Sequence, residues 1–479
     1  MRRGLLGKAA RTAALCALVL PVLLGGEALG GAFLARGDQL AADGLYEQAL
    51  AQYQAAGQFE PASPAPYLKR GALDLRWGDP ARAREDYDKA RLLSHLNPTA
   101  WLGAGRAAAT LGDKGAAADL LSEAARLGAE PRAAYEAGLL RIELGDLEAA
   151  KDSFAQAAAA ADARGDVDLA LTARVPLSLL IAVADPAAAT AELSRADRTA
   201  ADADRVRALL GDYTQARQAQ SEAQRDAILG RGALREGLVP LAENLLRRAV
   251  ALVPAYPDAR AYLSLALIAS GQPAAGEMEA AAALAVDPSH PLARYAHAVA
   301  LRAQGEAQEA ILALRPLVAE VPAEPSFVLE LAAACADYGD YKTAGEYSAQ
   351  AAALAQGNPS TLLAVARFHL DRAFRPEAAL PWLAQVVDKT PRDATAWEYY
   401  GWALQLAGRH AEGAGALQRS LEIDPRAASA HYRLGVVYEK EGLAAEARAE
   451  YAWTADLDPG GDYGRRARDS LAALASPSG

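Results

Sequence analysis

Small and apolar residues recur along most of the chain at intervals of about 34 residues. The most regular of them are the glycines Gly44, Gly78, Gly112, Gly145, Gly237, Gly271, Gly305, Gly339, Gly408 and Gly442. Each glycine separates two stretches rich in Ala and Leu that have the periodicity of a helix. Because glycine adopts positive φ at little cost, it ends one helix before the next turns back. The pattern predicts a series of helical hairpins, with Phe374 in place of one turn glycine.

Each predicted hairpin also has small residues where its two helices would cross. Many copies have a small residue seven positions before the turn glycine, an Ala five positions after it, and a larger apolar residue four positions further on. In the last copy these are Gly435, Ala447 and Tyr451. Since the last two are one helical turn apart, both face the first helix. A proline such as Pro425 or Pro459 closes many copies, because proline cannot continue a helix.

This arrangement resembles the tetratricopeptide repeat, a 34-residue unit with the pattern W-x-x-L-G-x-x-Y, A-x-x-x-F and P. The last two copies match it best, with first helices that contain Trp397, Gly401 and Leu404 and then His431, Gly435 and Tyr438. We assign eleven copies, at 30–63, 64–97, 98–131, 131–164, 223–256, 257–290, 291–324, 325–358, 360–393, 394–427 and 428–461. The resemblance implies an all-α fold, a right-handed superhelical solenoid of about eleven hairpins interrupted by an irregular helical segment.

The copies form two blocks, which predict the domain organisation. Its parts are residues 1–29, a block of four repeats at 30–164, a degenerate repeat with an extra helix at 165–222, a block of seven repeats at 223–461, and a capping helix with a frayed tail at 462–479. In the connecting segment we expect Pro176 to interrupt the apolar stretch Val167–Ala184. The break in register identifies this segment as the irregular part of the array.

The amino terminus has the charge pattern of an export or anchor signal. Four basic residues, Arg2, Arg3, Lys8 and Arg11, precede an uncharged run from Thr12 to Gly26, and no further basic residue follows until Arg36. This predicts a signal peptide or a single-pass membrane anchor within residues 1–29, with the repeats outside the cytoplasm. The Ala-rich and Arg-rich composition is typical of a bacterial protein. We therefore expect location at the bacterial cell membrane, or secretion or periplasmic release after cleavage.

Composition argues against catalysis, cofactors and nucleic acid. The net charge is −11 and the arginines alternate with carboxylates, so the basic patch of a nucleic-acid-binding protein is missing. Cys16 and Cys335 lie far apart, and the six histidines lack the spacing of a metal motif. The motif G-x-G-x-x-A at Gly103–Ala108 falls inside a predicted helix rather than after a strand, so it is no dinucleotide fingerprint. We predict a protein that is not an enzyme and needs no cofactor or metal.

The resemblance implies that the first helices line a concave groove that binds other proteins or peptides. The groove residues it implies here are Leu102, Tyr135, Leu265, Ile268, Tyr295, Val299, Leu329, Phe368, Trp402, Tyr432 and Val436. We expect Leu265, Tyr295 and Val299 to form one exposed apolar patch. A mainly apolar lining suits a helix or an extended segment of a partner, while contact with a membrane would involve only the amino-terminal segment.

Two functions follow from these features and stay open at this point. The first is a noncatalytic scaffold for protein–protein interactions in the bacterial cell envelope. The alternative is a regulatory or substrate-recruiting subunit of an envelope enzyme or of a secretion or polysaccharide-assembly complex.

Overall fold

The computed structural model describes residues 26–42, 45–195 and 203–475, and within them every regular element is an α-helix. The all-α prediction is confirmed. The helices are α1 Gly26–Ala42, α2 Tyr46–Phe59, α3 Ala65–Trp77, α4 Pro80–Leu93, α5 Pro98–Thr110, α6 Lys114–Arg126, α7 Pro131–Glu143, α8 Leu147–Arg164, α9 Val167–Ala184, α10 Pro186–Ser194, α11 Ala203–Arg217, α12 Glu222–Arg235, α13 Val239–Leu252, α14 Pro257–Ala269, α15 Pro273–Val286, α16 Pro291–Ala303, α17 Ala307–Glu320, α18 Pro325–Asp337, α19 Tyr341–Leu354, α20 Pro359–Asp371, α21 Pro376–Lys389, α22 Ala394–Leu406, α23 His410–Ile423, α24 Ala428–Lys440, α25 Ala444–Leu457 and α26 Asp462–Ala475.

Four hairpin turns combine a left-handed glycine with an aspartate that caps the next helix, at Gly78–Asp79, Gly112–Asp113, Gly145–Asp146 and Gly339–Asp340. Gly78 has φ of 90°, and the side chain of the next residue, Asp79, accepts a hydrogen bond of 3.0 Å from the backbone N–H of Arg82. The other described turn glycines also have positive φ, as the sequence predicts, while Gly44 lies outside the described residues. Phe374 takes the glycine's place with φ of 50°. The Gly-Asp pair therefore both ends one helix and starts the next.

The two helices of a hairpin meet where a glycine of the first faces a large residue of the second. The partner always stands sixteen positions later, in the pairs Gly37–Tyr53, Gly71–Tyr87, Gly105–Leu121, Gly230–Leu246 and Gly401–Leu417. A Cβ atom on Gly230 would lie only 2.6 Å from the Leu246 Cγ. The helices pack at a distance that a side chain at the glycine would not allow.

The chain divides into two compact units. The first comprises Met1–Leu140 with Tyr438–Gly479, and the second comprises Arg141–Val437. The core of the first is rich in alanine with tyrosines such as Tyr67 and Tyr87 between the helices. In the second, larger side chains such as Leu314 and Phe327 fill more of the core.

The connecting segment contains three helices, α9 to α11, and one of them departs from the sequence prediction. Helix α9 runs unbroken from Val167 to Ala184, so Pro176 does not interrupt it. A proline inside a helix removes one hydrogen bond, but Pro176 is buried and α9 packs against α8, α10 and α12, which offsets that loss. In the described part of the chain α9 alone is long and apolar enough to cross a membrane, and 61% of it is buried within the fold.

The predicted amino-terminal segment lies largely outside the described residues. Helix α1 begins at Gly26, so the predicted boundary at residue 29 falls within a helix. At the other end α26 occupies the position of the expected capping helix, and the tail from residue 476 onward is outside the described range.

Candidate protein-binding surface

The first helices carry ten of the eleven predicted groove residues as half-buried side chains. These are Leu102, Tyr135, Leu265, Ile268, Tyr295, Val299, Leu329, Trp402, Tyr432 and Val436. The side chain of Ile268 faces the second helix of its own hairpin, and we call the other nine the first-helix surface. Each side chain contributes part of its apolar area to the fold and leaves the rest accessible to solvent.

Several of these side chains support the core as well as the surface. Leu265 packs on an alanine cluster that includes Ala280. Tyr295 stacks on Phe327 with ring centroids 5.0 Å apart, and Leu329 packs against the same core cluster. Burial raises the pKa of Tyr295. Leu265, Tyr295 and Val299, which the sequence predicts to form one exposed apolar patch, are half-buried.

Two of the predicted groove residues, Phe368 and Ile268, face into the fold rather than along the first-helix surface. Phe368 is only 5% exposed and belongs to the core, because the repeat at 360–393 has one extra residue before its turn at Phe374. Its neighbour Arg367 is exposed instead and lies over the Tyr399 ring, 5.1 Å from the centroid. Ile268 faces Gly276 in the second helix of its own hairpin. A residue's place in the groove therefore depends on the local register.

Ion pairs connect successive first helices in both units, so the surface is more polar than its apolar residues alone suggest. In the first unit, Arg106 on α5 pairs with Glu130 and, at 3.1 Å, with Glu136 on α7. In the second unit, Arg302 on α16 pairs with Glu330 and, at 3.1 Å, with Asp337 on α18.

The same row of charges continues to the next repeat in the second unit. Asp337 accepts a hydrogen bond of 2.6 Å from Arg372, which follows α20 directly. Asp337 thus joins arginines from two different repeats. Charge-assisted hydrogen bonds of this kind fix the relative position of neighbouring hairpins as well as lining the surface.

The best-defined feature of the surface is a cluster of arginine and aromatic side chains on α22 and α24, which we call the Tyr399–Trp402–Arg433 cluster. The two rings have centroids 5.9 Å apart, and the Arg433 Cζ lies 4.1 Å from the Trp402 centroid. Arg433 also donates a hydrogen bond of 2.6 Å to Glu398, and both charged side chains are buried. Burial raises the pKa of Tyr399, and the nearby positive charges of Arg367 and Arg433 oppose that shift. The cluster is an aromatic platform held by a buried arginine whose charge is compensated by Glu398.

The described residues offer no comparable site for a metal. No group of three His, Cys, Asp or Glu side chains in the described ranges is placed to hold an ion. His369 is buried, and its Nε2 lies 3.2 Å from the Ser348 Oγ. Burial lowers the pKa of this imidazole, which is consistent with a histidine in the core.

Comparison with known families agrees with the repeat. The model of the family described as "Tetratricopeptide repeat" matches residues 68–131, 263–325, 369–427 and 407–462. The chain contains tetratricopeptide repeats. The matched ranges fall on seven of the eleven copies assigned from the sequence, and no enzyme family is indicated.

The chain is also similar to several solved structures, at low identity and with TM-scores below 0.5. The "APC/C hetero-tetramer Cut9-Hcn1" is 15% identical with a TM-score of 0.41, covering 95% of this chain and 98% of that one. A tetratricopeptide repeat protein from Parabacteroides merdae is 13% identical with a TM-score of 0.39, covering 53% of this chain and 98% of that one. The "P58(IPK) TPR Domain" is 14% identical with a TM-score of 0.25, over 93% and 98% of the two chains. Comparison with curated proteins finds no match.

Charged partners on the first helices of these tetratricopeptide repeats are absent from the sequence prediction. The signal was present, because Arg302 and Asp337 are separated by 35 residues, and so are Glu398 and Arg433, close to one repeat length. Opposite charges at that spacing lie on adjacent first helices. Opposite charges one repeat length apart in the sequence therefore predict the polar part of the first-helix surface, which apolar positions alone do not reveal.

Proposed function

We propose that this protein is a noncatalytic scaffold that binds segments of partner proteins on its first-helix surface. The observation that carries the proposal is the Tyr399–Trp402–Arg433 cluster within a row of half-buried apolar side chains. Tyr, Trp and Arg are the residue types that contribute most binding energy in protein interfaces. Fixed side chains also lose little conformational entropy when a partner binds. The partner class is an extended or helical protein segment with apolar anchors.

We further propose that the scaffold works in the bacterial cell envelope, held there or exported by its amino-terminal segment. The support is the charge pattern, in which Arg2, Arg3, Lys8 and Arg11 precede an uncharged run. A carboxyl-terminal alkaline phosphatase fusion should be active in a bacterial host, whereas a cytoplasmic reporter at the same position should be inactive. The reverse pattern would refute this location. Sequencing of the mature amino terminus distinguishes an anchor from a cleaved signal.

Photo-crosslinking tests the binding surface without disturbing the fold. A benzophenone amino acid at Val299 or Val436 places the probe on the first-helix surface, and the same residue at Leu252 or Leu312 serves as a control on exposed positions of second helices. In the native host, partner adducts should form from the first two positions and be several-fold weaker from the controls. Equal adducts from all four positions would show that partners do not prefer this surface.

The identity of the captured proteins separates the scaffold from its alternative. If the adducts contain an envelope enzyme whose activity falls when this chain is deleted, the protein is a regulatory or recruiting subunit. Partners without enzymatic activity support the scaffold.

A further inference from the structure

Within the first unit, helices from the end of the chain contact helices near its beginning. The Arg76 guanidinium at the carboxyl-terminal end of α3 donates hydrogen bonds to both carboxylate oxygens of Asp456 on α25, although the two residues are 380 positions apart. The two side chains are 28% and 32% exposed, so most of their area is removed from solvent. A two-bond pair of this type is geometrically specific.

Two more contacts accompany the pair. A Cβ atom on Gly78, directly after α3, would lie 2.9 Å from the Nε of Arg468 on α26. A Cβ atom on Gly460, between α25 and α26, would lie 3.1 Å from the Cγ2 of Thr110 at the end of α5. The last two helices therefore touch the ends of both α3 and α5, at three separate points. We call this set the α25–α3 contact.

The Arg76 guanidinium is the group that holds the Asp456 carboxylate at this contact. Burial raises the pKa of Asp456, and the positive charges of Arg76 and Arg106 oppose that shift. Arg106 is itself paired with Glu130 and Glu136, whereas Arg76 makes two hydrogen bonds to Asp456. Arg76 is therefore the cation that receives the carboxylate of α25.

The stability of a repeat array does not require such a contact. Each repeat is stabilised by its own core and by its immediate neighbours, so a contact between the second and third repeats and the last one is additional. Because it has few contact points, it opens at lower free-energy cost than the hairpins do. These are the properties of an exchangeable contact.

We propose that Arg76 forms a receptor for a carboxylate carried on a helix, and that α25 occupies this receptor in the free protein. An acidic helical segment of a partner protein then binds by displacing α25. This inference rests on the proposed scaffold function. It adds a second binding surface, an acidic helical segment as the partner, and a free protein in which α25 covers that surface.

Distance measurement in the full-length protein tests the occupied state. Spin labels are introduced at the exposed residues Leu92 and Glu446 through unnatural amino acids. We expect one narrow distance distribution in the wild type, a broad and longer one in Asp456→Arg, and a return to the narrow one in Asp456→Arg combined with Arg76→Asp. Charge reversal of the exposed Glu441 to Arg is the matched control and should change nothing. An unchanged distance in Asp456→Arg would overturn the proposal.

A matched pair of glycine variants tests the same contact without changing charge. Gly78 and Gly112 have φ of 90° and 81°, so an alanine is similarly strained at either turn. Only the Gly78 Cβ would meet another side chain, that of Arg468. Gly78→Ala should therefore broaden the distance distribution and Gly112→Ala should not. The same response from both variants would contradict the assignment.

Peptide binding tests the receptor directly. The probe is a fluorescent synthetic peptide of residues 444–475, which corresponds to α25 and α26, titrated into full-length protein. We expect at least tenfold tighter binding to Asp456→Arg than to the wild type, and loss of that gain when Arg76→Asp is added. Equal affinity for the wild type and Asp456→Arg would refute displacement. Because this assay contains no cellular partner, its result is independent of the crosslinking test of the scaffold function.

Discussion

A close approach between two helices at Gly401 offers a stringent test of the packing account. At Gly401 on α22, an added Cβ atom would lie 2.7 Å from the Leu417 Cγ and 3.0 Å from two backbone atoms of α23, the Gly413 oxygen and the Leu417 nitrogen. Comfortable contacts between carbon atoms are about 3.5–4.0 Å. Backbone atoms cannot rotate away as a flexible side chain can, so Gly401→Ala forces the two helices apart.

The expected cost follows from two opposing terms. Overpacking of a close-packed contact costs about 1–3 kcal/mol, while alanine recovers up to about 1 kcal/mol of helix propensity relative to glycine. Gly415→Ala is the matched control, because Gly415 lies on α23 of the same repeat and a Cβ atom there meets nothing within 4 Å. Gly415→Ala should raise the free energy of unfolding by about 0.5–1 kcal/mol. The free energies of unfolding of the two variants should therefore differ by about 1–3 kcal/mol.

Urea denaturation followed by far-UV circular dichroism measures this difference, and hydrogen exchange locates it. Repeat arrays are not always two-state, so exchange rates of α22 and α23 are compared with those of distant helices. Gly401→Ala should accelerate exchange in its own hairpin and its neighbours, and Gly415→Ala should slow it. If both alanines stabilise the protein equally, the register of the hairpin is wrong.

Three further predictions concern buried polar groups. Burial and the charges of neighbouring carboxylates raise the pKa of Asp74 from 3.8 to about 6, so the unfolded chain loses this proton first and stability falls as pH rises from 4 to 7. Asp74→Asn should raise the free energy of unfolding by about 3 kcal/mol at pH 7 and by almost nothing at pH 4. A gain in urea denaturation that does not depend on pH would contradict the pKa. Glu398→Gln leaves the buried charge of Arg433 uncompensated and should lower the free energy of unfolding by about 3–5 kcal/mol. Replacing both residues by Leu should lower it less. A double variant as unstable as Glu398→Gln would contradict an ion pair. The Tyr213 hydroxyl lies 2.7 Å from the Ser178 Oγ. Tyr213→Phe removes this hydrogen bond and should lower the free energy of unfolding, measured by thermal denaturation, by about 1 kcal/mol. An unchanged stability would mean that the hydrogen bond is not formed in solution.

Much of the fold is predictable from the sequence because glycine has few substitutes at its two kinds of site. A turn glycine such as Gly78 supplies positive φ, and a packing glycine such as Gly71 admits Tyr87 sixteen residues later. Turn glycines recur in nearly all hairpins and packing glycines in five of them, so the period identifies helices, turns and crossing points together. The helical hairpins of the tetratricopeptide repeat are therefore predictable from contacts within one repeat.

The departures arise where tertiary packing outweighs a local rule. Pro176 breaks the expected helix pattern, but burial of α9 keeps it continuous. One extra residue before Phe374 moves Phe368 into the core and Arg367 to the surface. The α25–α3 contact joins residues 380 positions apart, and no periodicity relates such distant positions. Surface chemistry therefore needs the three-dimensional structure even where the repeat does not.

Hydrogen exchange of the full-length protein, alone and with a partner captured by the crosslinking experiment, tests the central claim most directly. The claim is that first helices bind partners. The partner should slow exchange in first helices such as α16, α18, α22 and α24, and leave the intervening second helices α17, α19 and α23 almost unchanged. Protection confined to the second helices would contradict the account.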